Sequence, residues 1–254
     1  MPLQLTVVDA FTDRLFSGNP AAVAVVPEFP DQGLMQQIAA EMNLSETAFT
    51  VQRGGDEYDL RWFTPTVEVD LCGHATLATT HVLGHSARFQ TKSGELACTV
   101  AEGGLIEMDF PAETLAEAPF PVGLGLEGLE WFGRGRFFDL AQLDSAAAVR
   151  RAAPDLAAVE RLEGQALIVT AAGDRPGVDC VSRVFAPSVG IPEDPVTGSA
   201  HCTLAPFWGE RLGRQELTGE QASARGGTVR MRRSDDRVVL AGRAVTASRV
   251  LLLV

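Results

Sequence analysis

The strongest constraint in this sequence is that its two halves repeat. Arg61, Phe63, Pro65 and Val67 recur as Arg183, Phe185, Pro187 and Val189, at a constant offset of 122 residues. After a three-residue insertion, Gly73, Ala75 and Leu77 line up with Gly198, Ala200 and Cys202 at an offset of 125. The offset is close to half of the 254 residues, and strand order and turn position recur with it, so what repeats is a whole folding unit rather than a motif. Two similar lobes are expected, residues 1–111 and 112–243, with a small-molecule site in the cleft that two lobes imply.

Local patterning fills in each lobe. Leu5–Ala10 and Ala21–Val26 read as strands around a Ser17-Gly18-Asn19-Pro20 turn. Asp31 caps a helix whose apolar residues Leu34, Met35, Ile38 and Met42 share one face, and Asn43 stops it. Strands over residues 46–51 and 58–64 flank a turn at Arg53–Asp56. A helix from Gly73 to Leu83 ends at Gly84. Residues 95–100 and 105–110 form a hairpin, and the Pro- and Gly-rich text from Pro111 to Gly135 reads as the domain junction. The order then restarts with strands at 136–141, 166–171 and 179–185, helices at 144–151 and 155–162, and a helix after Gly198 that Pro206 should kink.

Charge removes several function classes. With 21 basic against 33 acidic residues the net charge is −12, and no basic cluster offers phosphates a footprint, so nucleic acid is not a partner. Lys92 is the single lysine, which leaves Schiff-base and pyridoxal chemistry one amine to run through. No basic leader and no membrane-length apolar run opens the chain, so a cytoplasmic protein with no membrane partner is expected, its four cysteines reduced. Those cysteines show neither CxxC pairing nor metal spacing, so the expected metal complement is none.

The candidate chemistry concentrates in a few residues. Gly73-His74 and Gly198-Ser199 open helices, where unpaired N–H groups and the positive end of the helix dipole hold a carboxylate or an enolate oxygen. Relief of crowding at two loop-to-helix turns explains either glycine alone equally well. Glu46 lies in mostly uncharged text; buried, it becomes a general acid/base, whereas exposed it is only a turn residue. Asp194, before Pro195, either contacts a substrate amine or forms a turn.

The repeat shows an asymmetry. Offset 122 carries Glu46 onto Ile168, so the second lobe has no matching carboxylate. Cys72 precedes Gly73 but Thr197 precedes Gly198, and a threonine hydroxyl is too weak an acid to replace the second thiol of a two-base racemase. A single-base proton shift by Glu46 follows. Three other signals fall short: Gly123-x-Gly125-x-x-Gly128 lacks the strand and helix of a dinucleotide site, His81 and His85 lack a carboxylate, and His74 should point away from a nucleophilic Cys72.

Taken together, Asp9-Ala10-Phe11, Gly18-Asn19-Pro20, Asn43-Leu44-Ser45-Glu46, Arg61-Trp62-Phe63-Thr64-Pro65, Cys72-Gly73-His74-Ala75 and Glu193-Asp194-Pro195-Val196-Thr197-Gly198-Ser199 resemble the PhzF-like (phenazine biosynthesis-like) isomerase family over nearly the whole chain. The resemblance implies an α+β fold like that of diaminopimelate epimerase: two pseudo-symmetric lobes, each a curled, mostly antiparallel, barrel-like sheet around a central helix, with a strand near 244–254 completing the first. It implies a cofactor-independent isomerase, a homodimer, Glu46 as acid/base, and Gly73, His74, Asp194, Gly198 and Ser199 on a small anionic or zwitterionic substrate, with Cys72 and Asn19 secondary. The phenazine member isomerises an amino- and carboxyl-bearing cyclohexadiene. Cys72, His201 and Cys202 depart from that member's pattern, a difference that bears on the substrate more than on the base. An amino-acid racemase using Cys72 and a ligand-binding or assembly protein without turnover are the alternatives.

Overall fold

In the computed structural model, which describes residues 2–254, the first unit is built from Met1–Asp109 with Ala241–Val254 and the second from Phe110–Leu240. Both are α+β, mostly sheet. No helix among the described residues is long and apolar enough to cross a membrane.

The first unit runs β1 (Pro2–Ala10), β2 (Asn19–Val26), α1 (Gln32–Met42), β3 (Glu46–Gly54), β4 (Glu57–Phe63), β5 (Glu68–Val69), α2 (Gly73–Leu83), β6 (Ala87–Thr91), β7 (Gly94–Val100) and β8 (Ile106–Pro111). α1 has the expected caps: Asp31 accepts from Gly33 N, and Asn43 turns left-handed at φ 48°. β1–β2, β3–β4 and β6–β7 pair antiparallel; β2–β3 and β4–β6 pair parallel, each with a helix in the crossover. α2 is the central helix, packed on β1, β2, β3 and β7. Its first eight residues are all buried, though three are threonines. Thr76, Thr79 and Thr80 satisfy their hydroxyls on the carbonyls four residues back, which lets a polar sequence sit inside a sheet.

The second unit follows the same plan: β9 (Ala116–Glu117), β10 (Leu129–Arg134), β11 (Phe138–Leu143), α3 (Ala146–Arg151), α4 (Leu156–Val159), β12 (Ala166–Ala172), β13 (Cys180–Ala186), β14 (Ile191–Asp194), α5 (Gly198–Leu212), β15 (Glu216–Gln221), β16 (Gly227–Ser234) and β17 (Arg237–Gly242). β11–β12 and β13–β15 are its parallel pairs, the counterparts of β2–β3 and β4–β6. The chain ends in β18 (Ala244–Leu253), antiparallel to β1 in the first unit from Pro2↔Leu253 to Ala10↔Ala244.

One ion pair records the duplication at atomic level. Arg61 holds Glu68 through Nε and Nη2 at 2.7 and 2.9 Å, and Arg183 holds Glu193 through the same atoms at 2.7 and 2.8 Å. Each guanidinium also lies over the phenylalanine two residues on, Phe63 and Phe185, at 5.3 and 5.0 Å from the ring centroid.

Several elements differ from the expected ones, and the strands β15, β16 and β17 that follow α5 are among those the sequence does not announce. β10 lies inside the glycine-rich stretch read as junction: Trp131 folds over Gly133, where a Cβ would meet its ring at 2.1 Å, so that glycine belongs to the strand. α4 is one turn rather than the expected 155–162, and beyond it Arg161 and Leu162 bond carbonyls three residues back instead of four. As expected, Pro206 lies inside a helix, α5, which continues to Leu212, and the Cys202 carbonyl that the proline cannot bond accepts from Glu113 N. Short β6, carrying Arg88 and Gln90, was not anticipated.

Candidate active site

Glu46 opens β3, just after the left-handed Asn43 turns the chain out of α1, and pairs with Ala21 of β2. Asn19 opens β2 after Gly18, whose φ of +68° and position against Ala10 O exclude a side chain. Cys72 and Gly73-His74 sit at the start of α2. These local stops and starts bring Asn19, Glu46, Cys72 and His74 together, all buried.

His74 is the hub of this cluster. Its Nε2 lies 2.9 Å from Glu46 Oε2, and neither atom makes an aligned hydrogen bond. Its Nδ1 lies 3.2 Å from Asn19 Nδ2 and 3.5 Å from Cys72 Sγ. The expectation that His74 points away from Cys72 is overturned. Cys72 is still extended, at φ −145° and ψ 112°, so helical spacing does not apply to it and both side chains fall on one side.

Burial, together with the neighbouring Glu46 charge, pushes the Cys72 thiol up to about 11, against the smaller opposing effects of His74 and Ala75 N. It is a thiol at neutral pH. Burial alone would push His74 down, but its acidic neighbours, Cys72 and Glu46, carry it well above the ordinary histidine value. With Cys72 protonated, the Glu46 carboxylate is the neighbour that acts. Rotation of the Asn19 amide presents either a donor or an acceptor to Nδ1, so Asn19 can serve either charge state of the ring.

The second unit carries its own cluster. Asp194, the last residue of β14, accepts a short hydrogen bond from Thr197 Oγ1. Gln221, wholly buried at the end of β15, donates to Asp194 O at 2.7 Å and Thr197 Oγ1 at 3.2 Å and accepts from Thr197 N at 2.8 Å. This clamp fixes the turn that delivers Gly198 and Ser199 at the start of α5, where the Thr197 side chain does not cap the helix. His201 bonds Thr197 O through Nδ1 at 2.8 Å, and burial pushes it down to about 4.

Of the residues expected from sequence, the structure groups Asn19, Glu46, Cys72, Gly73 and His74 in the first unit and Asp194, Gly198 and Ser199 in the second. Gln221 was missed: it acts on residues 24 and 27 positions away, and no motif marks it. The counterpart of Glu46 is also corrected. Thr47 pairs with Phe63 and Leu167 with Phe185, so sheet register equates Glu46 with Ala166, not Ile168. The second unit still lacks the carboxylate.

The family model described as phenazine biosynthesis-like protein matches residues 8–125 and 128–249. An uncharacterized isomerase of Halalkalibacterium halodurans is 46% identical over 100% of this chain and 99% of its own length. One of Pseudomonas aeruginosa is 47% identical over 96% of each. The crystal structure of a phenazine biosynthesis protein of the PhzF family from Enterococcus faecalis superposes with a TM-score of 0.93 at 41% identity, covering 100% of both chains. A probable proline racemase from Agrobacterium radiobacter, 11% identical with a TM-score of 0.67 over 99% of this chain and 93% of that one, shares the fold alone.

Proposed function

The chain belongs to the phenazine biosynthesis-like family, and from that premise we propose that it is a cofactor-independent isomerase that shifts a proton on a small amino- or carboxylate-bearing molecule, with Glu46 as both base and acid. The observation that carries this reading is the buried Glu46 carboxylate, whose Oε2 lies 2.9 Å from His74 Nε2 without an aligned hydrogen bond. Such a carboxylate is held in place electrostatically while retaining lone pairs for a substrate proton.

Glu46 removes a proton from carbon next to a carboxylate, and the electron pair moves into that group as an enediolate. Backbone N–H groups at the start of a helix, of the kind Gly73 provides beside Glu46, stabilise the oxyanion. Protonated Glu46 exchanges its proton with solvent and then delivers one to a different carbon on the same face. His74 holds the carboxylate's orientation throughout, and Asn19 holds His74. The single lysine supports chemistry without an imine: Lys92 is half-exposed and paired with Glu68 at 2.7 Å.

A racemase using Cys72 is the second reading, favoured by the 3.5 Å contact between Cys72 Sγ and His74 Nδ1. Against it stand a thiol pushed up to about 11 and Thr197 where the second thiol would be. Incubation of amino- and carboxylate-bearing candidates in D₂O separates the readings by NMR. The isomerase reading expects solvent deuterium to enter with wild type and Cys72→Ala but not with Glu46→Gln. The reverse pattern moves the assignment to the racemase, and no exchange across a broad panel moves it to a binding protein.

A further inference from the structure

We propose that Glu46, His74 and Cys72 form a binding site for a zinc-class divalent cation, and that the ion switches the base off by occupying its carboxylate. The first half stands on donor geometry; the second rests on the isomerase reading above.

One donor atom from each of the three residues lies within 4.8 Å of the other two. Thiolate, imidazole and carboxylate together are the donor types zinc takes, whereas calcium and magnesium call for oxygen alone. Bonds of about 2.0–2.3 Å in a tetrahedral site put ligand atoms roughly 3.3–3.7 Å apart, so small side-chain rotations suffice. Two of the donors have unspent capacity. Glu46 Oε2 and His74 Nε2 are buried, face one another at 2.9 Å, and have no aligned hydrogen-bond partner. Buried polar atoms are rarely left so, and a shared cation satisfies both at once.

Surrounding residues suit the ion. His74 ligating through Nε2 carries its remaining proton on Nδ1, and Asn19, 3.2 Å away, turns its amide oxygen to accept it, the outer hydrogen bond that zinc-bound histidines make. Binding releases two protons to solvent, the Cys72 thiol proton as the sulfur–metal bond forms and the His74 Nε2 proton as the nitrogen–metal bond forms. Three protein ligands leave a fourth position for water or a substrate carboxylate. A cation so placed ties up the lone pairs Glu46 uses on substrate, so metal and substrate compete for one group.

Cobalt and zinc ions are the probes. Wild-type chain, stripped with chelator, is titrated with Co²⁺ while the spectrum is recorded, then with Zn²⁺ against a chromophoric chelator. We expect one ion per chain, a thiolate-to-cobalt charge-transfer band with the intense visible bands of tetrahedral cobalt, and displacement by Zn²⁺. Cys72→Ser loses the charge-transfer band, Asn19→Ala weakens binding by about 10–100-fold, and Cys98→Ser leaves both readings unchanged. Cobalt bound without a thiolate band, or with a band that survives Cys72→Ser, overturns the site. If Cys72→Ser does not fold, the wild-type spectrum alone decides. The band without deuterium exchange on any substrate sinks the isomerase reading and leaves the site standing; exchange without the band, or exchange unaffected by bound Zn²⁺, sinks the site or the switch and leaves the isomerase.

Discussion

Glu46 Oε2 lies 2.9 Å from His74 Nε2, joining the first residue of a strand to the second residue of a helix. Because His74 carries the opposite charge when protonated, the pair fixes where the proton acceptor sits. Glu46→Gln keeps the shape and removes the base. Solvent-deuterium exchange should fall by about 10²–10⁴-fold with the circular-dichroism spectrum and melting temperature little changed. A variant that keeps more than a tenth of wild-type exchange rules Glu46 out as the acid/base.

Gly18 sets the position of Asn19, and through it His74. At φ +68° a Cβ on residue 18 would lie 2.1 Å from Ala10 O, a backbone atom with no freedom to move aside. Gly55, at φ +57°, has open space around the same position. Gly55→Ala should therefore lose only the left-handed penalty of about 1–2 kcal/mol, and Gly18→Ala should lose that plus roughly 1–3 kcal/mol of overpacking. Urea midpoints of the two variants measure the difference; equal midpoints sink the account.

How much of this was legible in the sequence depends on the range of the forces involved. The repeat was readable because each unit must rebuild the same crossing of strands, and Arg61 with Arg183 carries it down to the same pair of hydrogen bonds to Glu68 and Glu193. Caps at Asp31, Asn43 and Gly84 were readable because they act within one turn. The direction of His74 was not, because it depends on Cys72 staying extended one residue before the helix. The true counterpart of Glu46 was not, because counting along the chain misses a two-residue difference in connection length that sheet register reveals. Gln221 was hidden for the same reason: its partners are set by the parallel pairing of β13 and β15.

Gln221 makes three hydrogen bonds to the turn between Asp194 and Gly198 from a wholly buried position. Gln221→Leu leaves the Asp194 carbonyl and the Thr197 N–H without those partners, and should cost about 2–4 kcal/mol. Gln215→Leu, at an exposed position in the segment leading into the same strand, should stay within about 0.5 kcal/mol. Denaturant unfolding of both variants checks this, and a Gln221→Leu loss no larger than that of Gln215→Leu removes the clamp from the argument.

His201 gives the molecule a built-in acid sensitivity. Its ring is wholly buried, bonded to Thr197 O through Nδ1 and set against Gly219, where a Cβ would lie 3.1 Å from Nε2. Burial holds it near 4, below the ordinary value of 6.5. Between those values the unfolded chain binds a proton that the folded chain refuses, so stability is complete above pH 6.5 and is lost as pH falls toward 4. At about 1.4 kcal/mol for each pH unit, the full loss is about 3 kcal/mol, with about 2 kcal/mol of it gone by pH 5. His201→Gln removes the titration, so its stability should fall less than wild type's between pH 7.5 and pH 5. Urea unfolding at the two values measures the difference, in which the shared carboxylate contributions cancel; parallel pH slopes for the two proteins would show that His201 is not held neutral.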